Sequence, residues 1–209
     1  MAYVRKHTVY IRVPLSGCCG TTGKAPTKTG WADTNKGIEG NPKVRSRWVA
    51  KELNTGPRPE LFAPTSPVEG VKLVLSKAAS IGRGDTVVLI VDVRRAYFYA
   101  KATREVFIEL PQEDWKPGDE QKCGLLQQSL YGTRDAVLSW ERELSNFLSS
   151  LGFTRGKASP CLHHNERRGV SAVVHGDDVT CVASRKEVEW VLEQFRRWVG
   201  PQQEIDVDP

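Results

Sequence analysis

Two short apolar runs on either side of a Gly-Asp-Asp turn constrain the fold of this chain more than any other feature. Residues 172–175 and 179–182 are rich in β-branched and small side chains, so we expect two strands with Gly176-Asp177 as the bend between them. Such a hairpin buries its arms and presents Asp177 and Asp178 at its tip. Carboxylates held together repel each other, and a divalent cation such as Mg²⁺ or Mn²⁺ is the usual compensation. An ordinary β-turn that contains two acids is the alternative interpretation.

A third acid lies near the end of an earlier apolar run. Residues 86–93 are almost entirely β-branched or aliphatic, which predicts a strand buried on both faces. A carboxylate at the end of a buried strand is costly unless it is paired or bound to a metal ion. Asp92 is therefore a candidate functional residue.

The order of the predicted elements indicates an α+β fold. From Asp92 onward the chain reads strand, helix, hairpin, helix and a possible final strand, with an insertion before the first helix. The segments are a strand at 86–93, an insertion at 105–126, a helix at 135–151, the hairpin, a helix at 188–199 and a possible strand from 205. This βαββαβ order predicts an antiparallel, ferredoxin-like sheet with helices on one face. In such a sheet Asp92 can meet the hairpin acids at one edge.

The first 64 residues are rich in glycine and proline, which is typical of loops. Within them, residues 43–51 alternate basic with apolar or small side chains, which predicts a strand with one cationic face suited to phosphates. An edge strand that is merely protected by its charges is almost as well supported. Ser66-Pro67-Val68-Glu69 predicts the start of a structural helix that ends at Gly82.

Composition favours an intracellular protein, and the distribution of charge leaves two interpretations open. The net charge is +5, and residues 1–60 carry 11 Lys/Arg against 4 Asp/Glu, so the remainder is mildly acidic. A basic lobe beside an acidic one suits a nucleic-acid binder with a metal site, and solvated charge without a partner explains it equally well. The sequence has no long apolar span, no apolar signal core and no regular cysteine framework, so we expect neither membrane insertion nor secretion.

Seven short motifs occur in a characteristic order. They are Arg45–Lys51, Leu61–Pro64, Val91–Tyr97, Ser129–Gly132, Leu148–Phe153, Ser159–Leu162 and the Asp-Asp hairpin. Together they make the chain resemble the reverse transcriptase domain of Ty1/copia-type LTR retrotransposons, over roughly residues 14 to 200. Each motif alone is weak, but their order and spacing are specific.

The resemblance implies a polymerase fingers-and-palm fold within a single reverse transcriptase domain. Residues 1–85 would be a basic, fingers-like lobe, and residues 86–209 would be the palm with its catalytic carboxylates, interrupted by a fingers insertion at about 101–133. We expect the thumb to be absent. The remainder of the Pol polyprotein, with thumb, RNase H and integrase, is expected as a partner but not within this chain.

The resemblance also implies an activity, an RNA-directed DNA polymerase of a retrotransposon. Such an enzyme uses two Mg²⁺ ions, with Mn²⁺ as a possible substitute, to transfer a nucleotide from a dNTP to a primer 3′-OH on an RNA or DNA template. The expected location is the cytoplasm, in a virus-like particle, or the nucleus. The main alternative is a truncated, inactive relic that at most binds nucleic acid. A ferredoxin-like RNA-binding module is a third reading, but its sheet would need exposed aromatic residues.

Site residues follow from the matching motifs. The implied catalytic metal ligands are Asp92, Asp177 and Asp178. The implied nucleotide-binding residues are Tyr97, as the gate against a 2′-hydroxyl, and Arg45, Arg47 or Lys51 on the triphosphate. The implied primer contacts are His175 and Gly176.

Two departures from the family pattern concern this site. His175-Gly176 stands where the family usually has Tyr-Val, which removes a side chain from beside the primer terminus. Asp135 and Val137 stand where the family commonly has Gln and Pro. An acid at position 135 would repel the triphosphate unless Arg134 pairs with it, so Asp135 is not assigned to the site.

Overall fold

The elements of secondary structure largely follow the apolar runs of the sequence. The computed structural model describes residues 1–53, 56, 61, 63–64, 66–81 and 85–200, and the backbone of Ile205–Asp208. The helices are α1 (Ala2–Lys6), α2 (Leu15–Thr22), α3 (Val68–Ile81), α4 (Ala136–Ser150) and α5 (Arg185–Val199), with 3₁₀ helices at Ala96–Tyr99 and Gln112–Asp114. The strands are β1 (Tyr10–Pro14), β2 (Thr29–Asn35), β3 (Val44–Ala50), β4 (Thr86–Val93), β5 (Phe107–Ile108), β6 (Lys122–Leu126), β7 (Thr154–Arg155), β8 (Leu162–Asn165), β9 (Val170–His175), β10 (Asp178–Ser184) and β11 (Ile205–Asp208).

The chain divides into two compact units. Unit 1 consists of Met1–Phe62 and Tyr97–Trp140, and unit 2 of Ala63–Ala96 and Glu141–Pro209. Both units mix helices with antiparallel sheets, so the predicted α+β class is confirmed at this level. None of the helices in the described part of the chain is long and apolar enough to cross a membrane.

Unit 1 contains a three-stranded sheet in the order β1-β6-β5 and a two-stranded ribbon of β2 and β3. The predicted cationic strand is confirmed as β3. Its inner residues Trp48 and Ala50 join a core that includes Val9, Ile108 and Leu130. Four elements were not predicted from the sequence, because they lie in the glycine- and proline-rich segment expected to be mainly loops: α1, β1, α2 and β2.

Unit 2 is built on a six-stranded sheet in the order β11-β4-β10-β9-β8-β7. The strands predicted at 86–93 and on both arms of the hairpin are confirmed, as are helices α3, α4 and α5. Strands β7 and β8 widen the sheet beyond the four strands of the βαββαβ prediction. The predicted helix stop at Gly82 and residue Phe62 of the Leu61–Pro64 motif lie outside the described residues.

The two faces of β4 are unequally covered, so the prediction of burial on both faces is wrong. Leu89, Val91 and Val93 on one face are buried, whereas Ile90 on the other is 36% exposed. Helix α3 packs on the Ile90 face through Val74, which contacts Val182 and neighbours Val88. Helix α3 therefore covers this face toward the start of β4. At the other end of the strand the same face is half-open, meaning that Asp92 is only partly buried.

Candidate active site

Asp92 and Asp178 lie directly opposite each other on neighbouring strands. The antiparallel register of β4 and β10 pairs Asp178 with Asp92, and the register of β10 and β9 pairs Asp178 with His175. Residues directly opposite in an antiparallel pair have their side chains on the same face, with Cβ atoms about 4.5–5.5 Å apart. The two acids and His175 therefore share the half-open face of the sheet. Both carboxylates are half-buried, and Oδ1 of Asp92 is shielded from solvent.

The hairpin turn is shaped by its glycine. Gly176 has φ +65, a left-handed conformation that other residues adopt only with strain. A glycine with positive φ at the first of two central positions is typical of a type II′ turn, whose twist matches that of the flanking strands. The backbone N–H of Val93 donates to the carbonyl of Asp177 at 3.3 Å. This bond fastens the turn to the end of β4, one residue beyond Asp92.

A divalent cation fits this pair of acids through its preferred oxygen ligands. Like charges directly opposite each other in a sheet are destabilising, which a bound cation would offset. Among the residues that the structure describes, no group of three or more Asp, Glu, His or Cys side chains could hold a metal ion together. The three predicted acids are thus not gathered into a ready three-ligand site, and their metal-binding role stays a prediction.

The predicted triphosphate-binding residues belong to unit 1. Arg45 and Arg47 are half-buried and lie on the same face of the β2–β3 ribbon, opposite Thr34 and Ala32. Lys51 follows the end of β3, and its Cε lies where a side chain on Gly30 would clash, at 2.9 Å from an ideal Cβ. The three cations are therefore on or next to the ribbon.

Tyr97 also belongs to unit 1, in the 3₁₀ helix that follows β4. The chain reaches it through Arg95, which has φ +59, an uncommon conformation for a residue with a side chain. The Tyr97 ring is half-buried and lies 4.5 Å from the ring of Tyr131, between centroids. Phe98 is buried in the core and meets Tyr131 edge-on at 5.7 Å.

Comparison with known proteins identifies the family. Residues 21–198 match the family model described as reverse transcriptase (RNA-dependent DNA polymerase). The chain belongs to this reverse transcriptase family. A retrovirus-related Pol polyprotein from transposon TNT 1-94 of Nicotiana tabacum is 27% identical over 173 residues, which are 78% of this chain and 13% of that polyprotein. The predicted resemblance to Ty1/copia-type reverse transcriptases is confirmed.

The unusual acid of this reverse transcriptase domain, Asp135, is buried in an ion pair. Its carboxylate accepts hydrogen bonds from Arg104 at 2.9 Å and from Thr103 at 3.2 Å. Arg104 also pairs with Glu52. Burial would lower the pKa of Arg104, but its bonds to Glu52 and Asp135 outweigh this and raise it.

Arg134, the neighbour considered as a possible partner of Asp135, does not pair with it. The Arg134 side chain donates instead to the carbonyl of Gly56 at 2.6 Å, and its backbone N–H donates to Glu52 at 2.9 Å. The actual partner, Arg104, is 31 residues away from Asp135 in the chain. The sequence signal for Arg104 was its position within the fingers insertion expected at about 101–133.

Proposed function

We propose that this reverse transcriptase domain is an RNA-directed DNA polymerase that extends a primer 3′-OH with dNTPs on an RNA or DNA template. The observation that carries the proposal is the register of β4 and β10, which pairs Asp92 with Asp178 beside the turn of Asp177. Family membership supports the reaction class. The half-open sheet face gives a ligand access to these acids.

Asp92, Asp177 and Asp178 are the proposed ligands of two Mg²⁺ ions, with Mn²⁺ as a substitute. When bound, such cations supply positive charge that favours ionisation of a primer hydroxyl and stabilises a leaving pyrophosphate. The protein's own contribution is to hold the acids on one rigid sheet and one fastened turn. Because the acids are already held in place, assembling the site costs little conformational entropy.

The proposed nucleotide contacts come from unit 1. Arg45, Arg47 and Lys51 would bind the triphosphate oxygens, because guanidinium and ammonium groups form charge-assisted hydrogen bonds with phosphate. The Tyr97 ring, supported by Tyr131, would exclude a 2′-hydroxyl by its bulk. Arg104 neutralises Asp135, so the departure at position 135 need not repel the nucleotide.

The hairpin tip is the proposed primer contact. His175 is exposed and shares a sheet face with Asp178, and Gly176 presents no side chain at the turn. A primer backbone can therefore approach the turn closely, with His175 beside it.

The finer architecture is part of the proposal. Residues 1–85 would act as fingers and 86–209 as palm, with the fingers insertion at about 101–133 and a ferredoxin-like core of β11, β4, β10 and β9. The tobacco relative is a Pol polyprotein, so we propose that this domain acts together with thumb, RNase H and integrase regions inside the cell.

A primer-extension assay tests the activity. With Mg²⁺, dNTPs and a primed RNA template we expect incorporation that Asp177→Asn abolishes. Glu189→Gln, which removes an exposed acid on α5, is the matched control and should retain it. Tyr97→Ala should permit incorporation of ribonucleotides, because loss of the ring leaves room for their 2′-hydroxyl.

The second candidate function is an inactive relic that only binds nucleic acid. The lack of a three-ligand group in the described residues favours it. Template binding without incorporation, in the presence of either Mg²⁺ or Mn²⁺, would support the relic and contradict the polymerase.

A further inference from the structure

The sheet of unit 2 is wider than the helix that packs on one of its faces. Helix α3 lies against β4, β10 and β9, and the sheet continues past β9 with β8 and the edge strand β7. A helix with its side chains is about 10 Å across, which is about two strand spacings of 4.8 Å. Strands β8 and β7 are therefore only partly covered by α3.

The strand register shows which side chains share this face with α3. Leu162 of β8 lies opposite Val173 of β9, and both pack with Val74 of α3. Alternate residues of a strand lie on the same face, so His164 of β8 and its partner Ser171 of β9 are also on the α3 side. This part of the face therefore combines aliphatic side chains with an imidazole and a hydroxyl group.

A pocket of about 460 Å³ lies between α3 and these strands, entirely within unit 2. Leu73, Val74 and Leu162 give it apolar walls, and Thr154 and Gly156 line it at the edge of the sheet. Small-molecule sites in proteins commonly have volumes of about 300–1,000 Å³ and mostly apolar walls. The pocket therefore has the size and the lining of a small-molecule site.

The pocket carries a lysine whose charge no acid balances. The half-buried Lys77 donates a hydrogen bond from Nζ to Oγ of Ser171 at 2.7 Å, and this Oγ lies 3.1 Å from Nδ1 of His164. In the described part of the chain Lys77 has no ion pair and no other hydrogen bond, and no acidic residue lines the pocket. An ammonium group has three N–H donors, so two remain for a ligand.

We propose that this pocket binds a small amphipathic monoanion, a molecule with an apolar body and one carboxylate. The aliphatic walls remove the apolar body from water, and Lys77 forms a charge-assisted hydrogen bond with the carboxylate. Ser171 and His175 are four residues apart on β9, which places the pocket about 13 Å along the strand from the hairpin turn. The site is therefore separate from the candidate metal ligands. It goes beyond the polymerase proposal and does not depend on it.

Titration of the whole chain with 2-naphthoate, followed by ligand-observed NMR, tests the proposal. The neutral alcohol 2-naphthalenemethanol has a similar apolar body and should bind wild type about fivefold more weakly or worse, because it lacks the charge. Lys77→Met keeps the length of the side chain and should weaken naphthoate binding about fivefold or more, while binding of the alcohol stays unchanged. Lys72→Met, at an exposed position of α3 outside the pocket, is the matched control and should bind both probes as wild type.

A second pair of variants tests the location of the site. Leu73 lines the pocket and is 60% exposed, whereas Leu75 on the same helix is 43% exposed and lies outside it. Leu73→Asp should weaken naphthoate binding at least about tenfold, because it replaces an apolar wall by a like charge, and Leu75→Asp should not. Absence of saturable naphthoate binding, equal affinity of wild type for both probes, or undiminished binding by Lys77→Met and Leu73→Asp would overturn the proposal. Because the assay contains no nucleotide or nucleic acid, its failure is independent of the outcome of primer extension.

Discussion

The Ser129–Gly132 motif ends in a glycine that lies against the backbone of β3. Gly132 has φ +83, and a Cβ built on it would lie 2.0 Å from the carbonyl oxygen of Ala50. The backbone N–H of Ala50 donates to the carbonyl of Tyr131 at 2.7 Å. The motif therefore fixes the end of the cationic strand. Its last residue is a glycine because a side chain there would clash with the backbone of β3.

Gly132→Ala should lower the free energy of unfolding by at least about 2 kcal/mol, because left-handed strain and a backbone clash add. Urea unfolding followed by circular dichroism measures the change. Gly20→Ala is the matched control. Gly20 lies inside α2 with open space around it, so its alanine variant should be more stable by about 0.5–1 kcal/mol. Equal effects at both positions would contradict the role assigned to Gly132.

The guanidinium of Arg104 forms ion pairs with two carboxylates, those of Glu52 and Asp135. Arg104→Met should destabilise the protein by about 2–3 kcal/mol, since it removes charge-assisted hydrogen bonds from Glu52 and from buried Asp135. Adding Asp135→Asn should cost less than the two single changes together, because the variants share one interaction. Arg197→Met, which breaks an exposed pair with Glu193, should change stability by less than about 0.5 kcal/mol. Additive losses at 104 and 135 would contradict the pairing.

At the scale of elements, the long apolar segments were predictable and the short ones were not. The run at 86–93 specifies β4 residue by residue, and the helical stripes specify α4 and α5. By contrast, α1 has five residues, α2 contains two glycines, and β2 is half of a ribbon whose partner gives it order. Such elements depend on tertiary contacts more than on their own pattern.

The candidate site, too, was only partly predictable from the sequence. Proximity of Asp92 to the hairpin could be inferred from topology, and the register of β4 and β10 agrees with it. The half-open face could not be inferred from the sequence, because it depends on where α3 stops covering the sheet. The Arg104–Asp135 pair could not be inferred either, because a contact over 31 residues leaves no periodic signal.

Strand β8 carries a histidine that gives unit 2 a pH dependence. His163 is buried, and burial lowers its pKa below the usual 6.5. Below pH 6.5 the unfolded chain gains a proton that the folded protein resists, so the free energy of unfolding falls as pH drops until the folded-state pKa is reached. Unfolding midpoints measured between about pH 7 and pH 5 should fall for wild type and fall less for His163→Gln. His164→Gln, at the exposed neighbouring position, should keep the wild-type slope.

At the scale of the whole molecule, the uneven charge predicts a salt-dependent affinity for nucleic acid. Each phosphate contact contributes about 0.7–0.9 to the slope of log affinity against log salt concentration. Arg45→Gln with Arg47→Gln should therefore reduce that slope by about 1.5, measured by titration at several salt concentrations. The matched control is the double variant Arg196→Gln and Arg197→Gln on α5, which removes two positive charges from an exposed surface. It should reduce the slope less than the change at Arg45 and Arg47. A slope unchanged by the first pair, or reduced equally by the second, would contradict a phosphate-binding ribbon.

Direct titration with Mn²⁺, followed by electron paramagnetic resonance, tests the central claim that Asp92 and the hairpin acids share a divalent cation. We predict saturable binding to the wild-type protein, weakened at least about tenfold in both Asp92→Asn and Asp178→Asn. Glu189→Gln should bind as wild type. Equal affinity in all four proteins would show that these acids hold no metal and would contradict the account.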